Sequence, residues 1–138
     1  MPAKDIYHET VKTALTKDGW TITDDPLILQ YGSKDLFVDL GAQKLLAAEK
    51  RGQKIAVEIK SFRGPSQVKD LHNALGKYML YRDILEKMEM VQPLYLAVTT
   101  KAFEEVFEEP LGNLVLTKHQ LYLLVFNLTN QEVVRWIH

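Results

Sequence analysis

Leu94-Tyr95-Leu96-Ala97-Val98 is an unbroken apolar run, set off from the preceding chain by Pro93. A strand sends successive side chains to opposite faces, so a run that is apolar at every position is read as buried on both sides. That demand calls for layers above and below a sheet. The upstream sequence supplies candidates for them. Ser66 is a good N-cap for a helix running to about Met88, with Leu71, Ala74, Leu75, Tyr78, Tyr81, Leu85 and Met88 spread over a wide apolar stripe. Residues 54–62 before it read as a strand. Together with the shorter segments described next, this order indicates an α/β fold whose sheet mixes parallel and antiparallel pairing.

Residues 4–18 have the spacing of an amphipathic helix, with Ile6, Val11, Ala14 and Leu15 along one side and Gly19 as its stop. Residues 20–23 are short and β-rich, and 27–31 form a further extended piece before the Gly32-Ser33 turn. Residues 36–40, 45–50 and 54–62 are successive strand candidates, the last two joined in a hairpin by Arg51-Gly52-Gln53. A short helix is expected near 102–107, and residues 121–126 (LYLLVF) and 132–137 (EVVRWI) read as a closing hairpin. No repeat, linker or low-complexity tract interrupts the chain, so its 138 residues are expected to form one domain, 1–138.

Absences narrow the chemistry. With no cysteine there are no disulfides, thiolate nucleophiles or cysteine-bearing zinc sites. No apolar run approaches the roughly 18 residues of a membrane helix. The start, MPAKDIYHET, lacks the apolar stretch of a secretory signal, which makes a cytoplasmic location the expectation. Asn127-Leu128-Thr129 is then simplest as part of a turn. Phosphate-binding glycine loops and Ser/His/Asp or His-x-x-x-His patterns are absent. A formal net charge of −1 argues against polyanion binding driven by overall charge. The charge is uneven, however. From Lys44 to Lys69 there are seven basic residues against Glu49 and Glu58, whereas from Asp83 to Glu109 there are seven acids against Lys87 and Lys101.

Alternation along 54–62 puts Ile55, Val57 and Ile59 on one face and Ala56, Glu58 and Lys60 on the other. A carboxylate and an ammonium thus project together from a strand with an apolar reverse side, where uncompensated charge is costly. A structural ion pair is one explanation. Asp39, between Val38 and Leu40, suggests another, because it too faces away from an apolar strand face. Two converging carboxylates make an oxygen-rich site for a hard cation such as Mg²⁺. Lys60 beside them would orient a water or stabilise charge on a phosphoryl group.

Asp39 followed by Glu58-Ile59-Lys60 resembles the D…ExK signature of the PD-(D/E)xK nuclease superfamily. The order of elements resembles its restriction-endonuclease-like αβββαβ core, a mixed sheet flanked by helices, with the C-terminal hairpin appended. Across nearly the whole chain the sequence is similar to the XisH family, the fdxN element excision controlling factors of cyanobacteria. The similarity is carried by AKDIYHETVKTALTKDGWTITDDPL, DLGAQKLLAAEKRGQKIAVEIKSF, ALGKYMLYRDIL and the closing VVRWI. The resemblance implies a role in site-specific excision of a DNA element, alongside a recombinase and a companion protein, XisI. It implies Asp39 and Glu58 as ligands of Mg²⁺ or Mn²⁺, the backbone carbonyl of Ile59 as a further ligand, and Lys60 as the catalytic lysine. Glu9 corresponds to the first-helix acid that some of these nucleases use as an extra metal ligand, although on the helical wheel it points away from the apolar stripe. Val38 replaces the motif's nominal proline, and Lys77-Tyr78 stands where Gln-Tyr is usual.

His8 near the flank of the first helix reads as packing. Gln67 is either a cap or a substrate contact, and Arg63, Lys69 and Lys77 are candidates for phosphate contacts. Trp20, Tyr31 and Trp136 read as core or interface. Two functions therefore stand side by side. One is a Mg²⁺-dependent endonuclease acting on DNA; the other is a non-catalytic nuclease-fold module that binds XisI, a recombinase or DNA to regulate excision. Superfamily nucleases often pair, so a homodimer is an expectation, with LYLLVF as its interface.

Overall fold

The computed structural model describes residues 4–44 and 52–138. Helix α1 (His8–Lys17) is followed by strands β1 (Thr21–Asp24), β2 (Leu27–Tyr31), β3 (Lys34–Val38), β4 (Leu40–Lys44) and β5 (Gln53–Ile59). Then come α2 (Gln67–Lys87), β6 (Leu94–Thr99), a short α3 (Thr100–Ala102) that runs into a π-helical segment (Phe103–Phe107), α4 (Pro110–Lys118), β7 (Leu123–Asn127) and β8 (Glu132–Ile137). Six strands form one mixed sheet in the order β1-β4-β5-β6-β7-β8, and β2 pairs with β3 in a separate two-stranded sheet. β5, β6 and β7 run parallel; the outer pairings are antiparallel.

The apolar run at 94–98 is β6, buried at every position and central in the sheet. Its alternation divides the core in two. Leu94, Leu96 and Val98 join α2, the segment after β6 and the small β2–β3 sheet, while Tyr95 and Ala97 join α1, Trp20 and the opposite faces of β4 and β5. Each fully buried leucine contributes about 2 kcal/mol. Tyr78 locks the layers together: its hydroxyl donates to Leu94 O (2.8 Å) and accepts from the N–H of Tyr122 (3.0 Å). Ser66 caps α2 as expected, accepting from the N–H of Lys69. Among the described residues no helix is long and apolar enough to cross a membrane.

Several expectations change. Helix α1 starts at His8 rather than at residue 4, because the Asp5 carboxylate takes the N–H of Tyr7 (2.9 Å) in a turn that leaves Ile6 61% exposed. The strand expected at 36–40 is two strands broken at Asp39. The strand expected at 45–50 lies outside the described residues, and the partner of β5 is β4, with Lys44 opposite Gln53. The expected C-terminal hairpin is β7–β8, and it extends the main sheet, with β7 paired to β6. Leu121 and residues 123–126 are accordingly buried in the core, which removes LYLLVF as an interface. Helix α4 was not legible, because Leu111 and Leu114 on it are exposed and blur the periodicity. It packs so closely on the π-helical segment that a Cβ at Gly112 would stand 1.8 Å from Val106 O.

Candidate functional site

The break at Asp39 builds the site. Val38 pairs with Leu27 in the small sheet, and Leu40 pairs with Val57 in the large one. The chain therefore changes sheets across a single residue. That residue is clipped to the end of β5 by two reciprocal hydrogen bonds: the N–H of Asp39 donates to Glu58 Oε1 (3.2 Å), and the N–H of Ile59 donates to Asp39 Oδ2 (2.7 Å). Glu58 thus commits one oxygen to the backbone of Asp39, and Asp39 one oxygen to the backbone of Ile59. The two carboxyls also lie within hydrogen-bonding reach of each other, and Glu58 Oε2 is 4.0 Å from Lys77 Nζ.

Glu58 is only 5% exposed. Burial, reinforced by the negative charge of Asp39, pushes its carboxyl up to about 8. Burial also raises Asp39, against the hydrogen bond from Ile59 that favours its charged form. The effect reaches Tyr81 on α2, whose hydroxyl is pushed up to about 12 by burial and by the two carboxylates. Lys77 offsets little of this, because its side chain is 63% exposed and well solvated. A buried Glu58 and a half-buried Asp39, drawn together with one solvated ammonium at 4.0 Å, form a donor set that suits a hard divalent ion.

The remaining candidates are distributed around this pair. Lys60 leaves the end of β5, where its N–H still bonds Ala97 O (3.1 Å), and its ammonium lies 3.6 Å from Asp70 Oδ1 on α2. Asp70 also accepts the N–H of Gly64 (2.9 Å). The structure thus unites Asp39 with Glu58 and gives Lys60 a carboxylate partner of its own. Glu9 lies with His8 and Asp25, their potential ligand atoms all within 4.8 Å of one another, and not with Asp39 and Glu58. There His8 Nε2 is 2.7 Å and Lys12 Nζ 2.8 Å from Asp25, and Lys12 reaches Glu9 at 3.8 Å. Burial works to raise Asp25, but hydrogen bonds from Lys12 and His8 outweigh it and hold the carboxyl below its usual range.

Asp5 and Asp70 were not anticipated. Asp5 ties the start of α1 to the exit of β5 by accepting the N–H of Ser61 (3.1 Å). The signal for Asp70 was its place in the first turn of α2, four residues after the Ser66 cap. Gln67 donates to Glu105 (3.1 Å) and lines a cavity beside the end of β6. Arg63 and Lys69 are exposed. Trp20 is buried 5.7 Å from Trp136, as a core reading requires, while Tyr31 is exposed on the small sheet.

A family described as XisH protein matches residues 1–134. No curated protein matches the chain. Among solved structures, an XisH family protein from Nostoc punctiforme PCC 73102 is 34% identical, covering 97% of this chain and 100% of its own, with a TM-score of 0.85. An fdxN element excision controlling factor protein from Anabaena variabilis is 39% identical, covering 98% of this chain and 100% of its own, with a TM-score of 0.86.

Proposed function

The chain belongs to the XisH family, and on that premise we propose that it is a controlling factor for excision of a DNA element. In this reading Asp39 and Glu58 form a cation-dependent, phosphodiester-hydrolysing site of the PD-(D/E)xK type on a restriction-endonuclease-like fold. The observation that carries it is the reciprocal clip between Asp39 and Glu58 at the carboxyl end of a central strand. It holds two acids together with Lys77, at 4.0 Å, as their nearest ammonium. The β5–α2–β6 crossover, with its parallel strands, supports the fold assignment.

Asp39 and Glu58 would hold Mg²⁺ or Mn²⁺, with the Ile59 carbonyl as a further ligand. When bound, such an ion supplies Lewis-acid polarisation of a phosphodiester and a more acidic water. The chain's own residues position these groups. The Ile59 N–H orients the Asp39 carboxylate, and the Asp39 N–H orients Glu58. Lys60 would stabilise charge on the phosphoryl group, for which its ammonium must leave Asp70 for the substrate. Lys77 is the second cation on this side.

The engagement of Lys60 by Asp70 favours a second reading. In it the fold and acid pair are retained in a non-catalytic module that binds an XisI-like companion, a recombinase or DNA. One experiment separates the two. Supercoiled and branched DNA are incubated with Mg²⁺ or Mn²⁺ and wild type, Asp39→Ala, Glu58→Ala or Lys60→Ala, and cation binding is followed by calorimetry. The catalytic reading expects nicking by wild type alone and loss of cation binding in the two acid variants. Equal nicking by all four removes the assignment. Cation binding without nicking, together with co-purification of a partner, supports the module.

A further inference from the structure

Beyond Lys60 the chain turns at Phe62, whose φ of 54° is in the left-handed region. For a bulky side chain that conformation costs about 1–3 kcal/mol and persists only where the surroundings impose it. Here the ring is buried and packs edge-on against Phe107, 5.7 Å away. Ser61, Arg63 and Gly64 of this turn line a cavity of about 340 Å³ together with Thr99, Lys101 and Gln67. Arg63 and Lys101 are exposed, and among the described residues neither has a carboxylate within 4.0 Å. Glu105 is the acid that lines the cavity, and its carboxylate accepts a hydrogen bond from Gln67. The result is a net positive recess at the carboxyl ends of β5 and β6, a usual place for ligands on parallel sheets.

We propose that this recess seats a backbone phosphate of a DNA strand that runs past the Asp39–Glu58 pair. The inference rests on the reading of the protein as one that acts on DNA. The spacing fits. Glu58 is in register with Leu96, and Thr99 lies three residues further along β6. That places the recess roughly 10 Å along the sheet and about 5 Å across from Glu58, within reach of a single nucleic-acid strand. Arg63 offers a planar fork that matches phosphate oxygens, and Lys101 offers a point charge. Ser61 adds a hydroxyl, whereas the buried Thr99 hydroxyl already accepts the N–H of Ala102 (3.0 Å). Contacts of this kind fix the position of a strand and carry no sequence readout. The strained turn at Phe62 has a use in this picture, because it keeps Arg63 on the lining of the recess that Lys101 also lines.

The test is fluorescence anisotropy with a labelled duplex oligonucleotide in EDTA, over a series of salt concentrations. Arg63→Gln combined with Lys101→Gln should weaken binding about tenfold at moderate salt and flatten the log–log salt slope by about two. Glu105→Gln, which removes the opposing acid, should tighten binding. Lys34→Gln, an equal loss of charge on an exposed position of β3, should change neither affinity nor slope. Wild-type affinity and slope in the double variant, or an equal loss from Lys34→Gln, overturns the seat while leaving the carboxylate reading intact. Failure of wild type to bind DNA at low salt also overturns it, and calorimetry at Asp39 and Glu58 then tests the cation site separately.

Discussion

The chain carries two acid clusters whose compensation is opposite. Around Asp25, His8 and Lys12 approach within 2.8 Å, and the carboxyl is held below its usual range. Around Glu58 the nearest ammonium is Lys77 at 4.0 Å, and burial pushes the carboxyl up to about 8. Similar residue types thus do different work. In the first cluster His8 and Lys12 both hold Asp25, which ties α1 to the β1–β2 connection. The second keeps its electrostatic deficit, which is what leaves room for a cation from outside.

The sharpest test of this contrast is the pH dependence of stability in EDTA. Glu58 binds its proton more tightly in the folded state than in the unfolded chain, where its ordinary value is 4.5. Its contribution is therefore complete below that value and is lost as pH rises towards 8. Glu58→Gln cannot ionise and should escape the loss. Urea titrations should find it more stable than wild type by roughly 2–4 kcal/mol at pH 9, with little difference at pH 4. Equal stability at both pH values would mean that Glu58 is not buried as a charge.

A cation should repair the same deficit. At about 100 times its dissociation constant Mg²⁺ or Mn²⁺ should stabilise wild type by about 2.7 kcal/mol. Asp25→Asn should respond as wild type does, whereas Asp39→Asn and Glu58→Gln should not. A thermal shift that is lost in Asp25→Asn would move the ion to the other cluster. Asp25→Asn itself should cost about 1–2 kcal/mol near neutral pH by unpairing His8. Because Asp25 is held below its ordinary 3.8, that difference is present above this value and disappears as pH falls through and below it.

Sequence pattern reached the elements more easily than the connections between them. β6 and α2 were legible because a continuous apolar run and a capped apolar stripe are local signals. The proximity of Asp39 and Glu58 was legible as well, from alternation in two strand segments. The break between β3 and β4 was not, because Val38-Asp39-Leu40 alternates as well across two sheets as within one strand. The pairing of Lys60 with Asp70 depends on how α2 lies on β5, and no local pattern carries that. Glu9 shows the same limit in reverse: the motif brought it towards the acid pair, while the fold of residues 24–26 supplied His8 and Lys12 with a different carboxylate.

The smallest effect tests whether Lys12 is what separates the clusters. Its side chain is 30% exposed, so its pairs with Asp25 and Glu9 are partly screened, and Lys12→Met should cost only about 0.5–1 kcal/mol. The informative result is in binding. With the ammonium gone, His8, Glu9 and Asp25 retain one potential ligand atom each within 4.8 Å of the others, a set of one imidazole and two carboxylates that suits Zn²⁺. In an Asp39→Asn, Glu58→Gln background, Lys12→Met should gain weak Zn²⁺ binding by calorimetry that Lys12-containing protein lacks. No gain would show that the geometry of α1, rather than its lysine, keeps the cluster from taking an ion. The contrast would then rest on Glu58 alone.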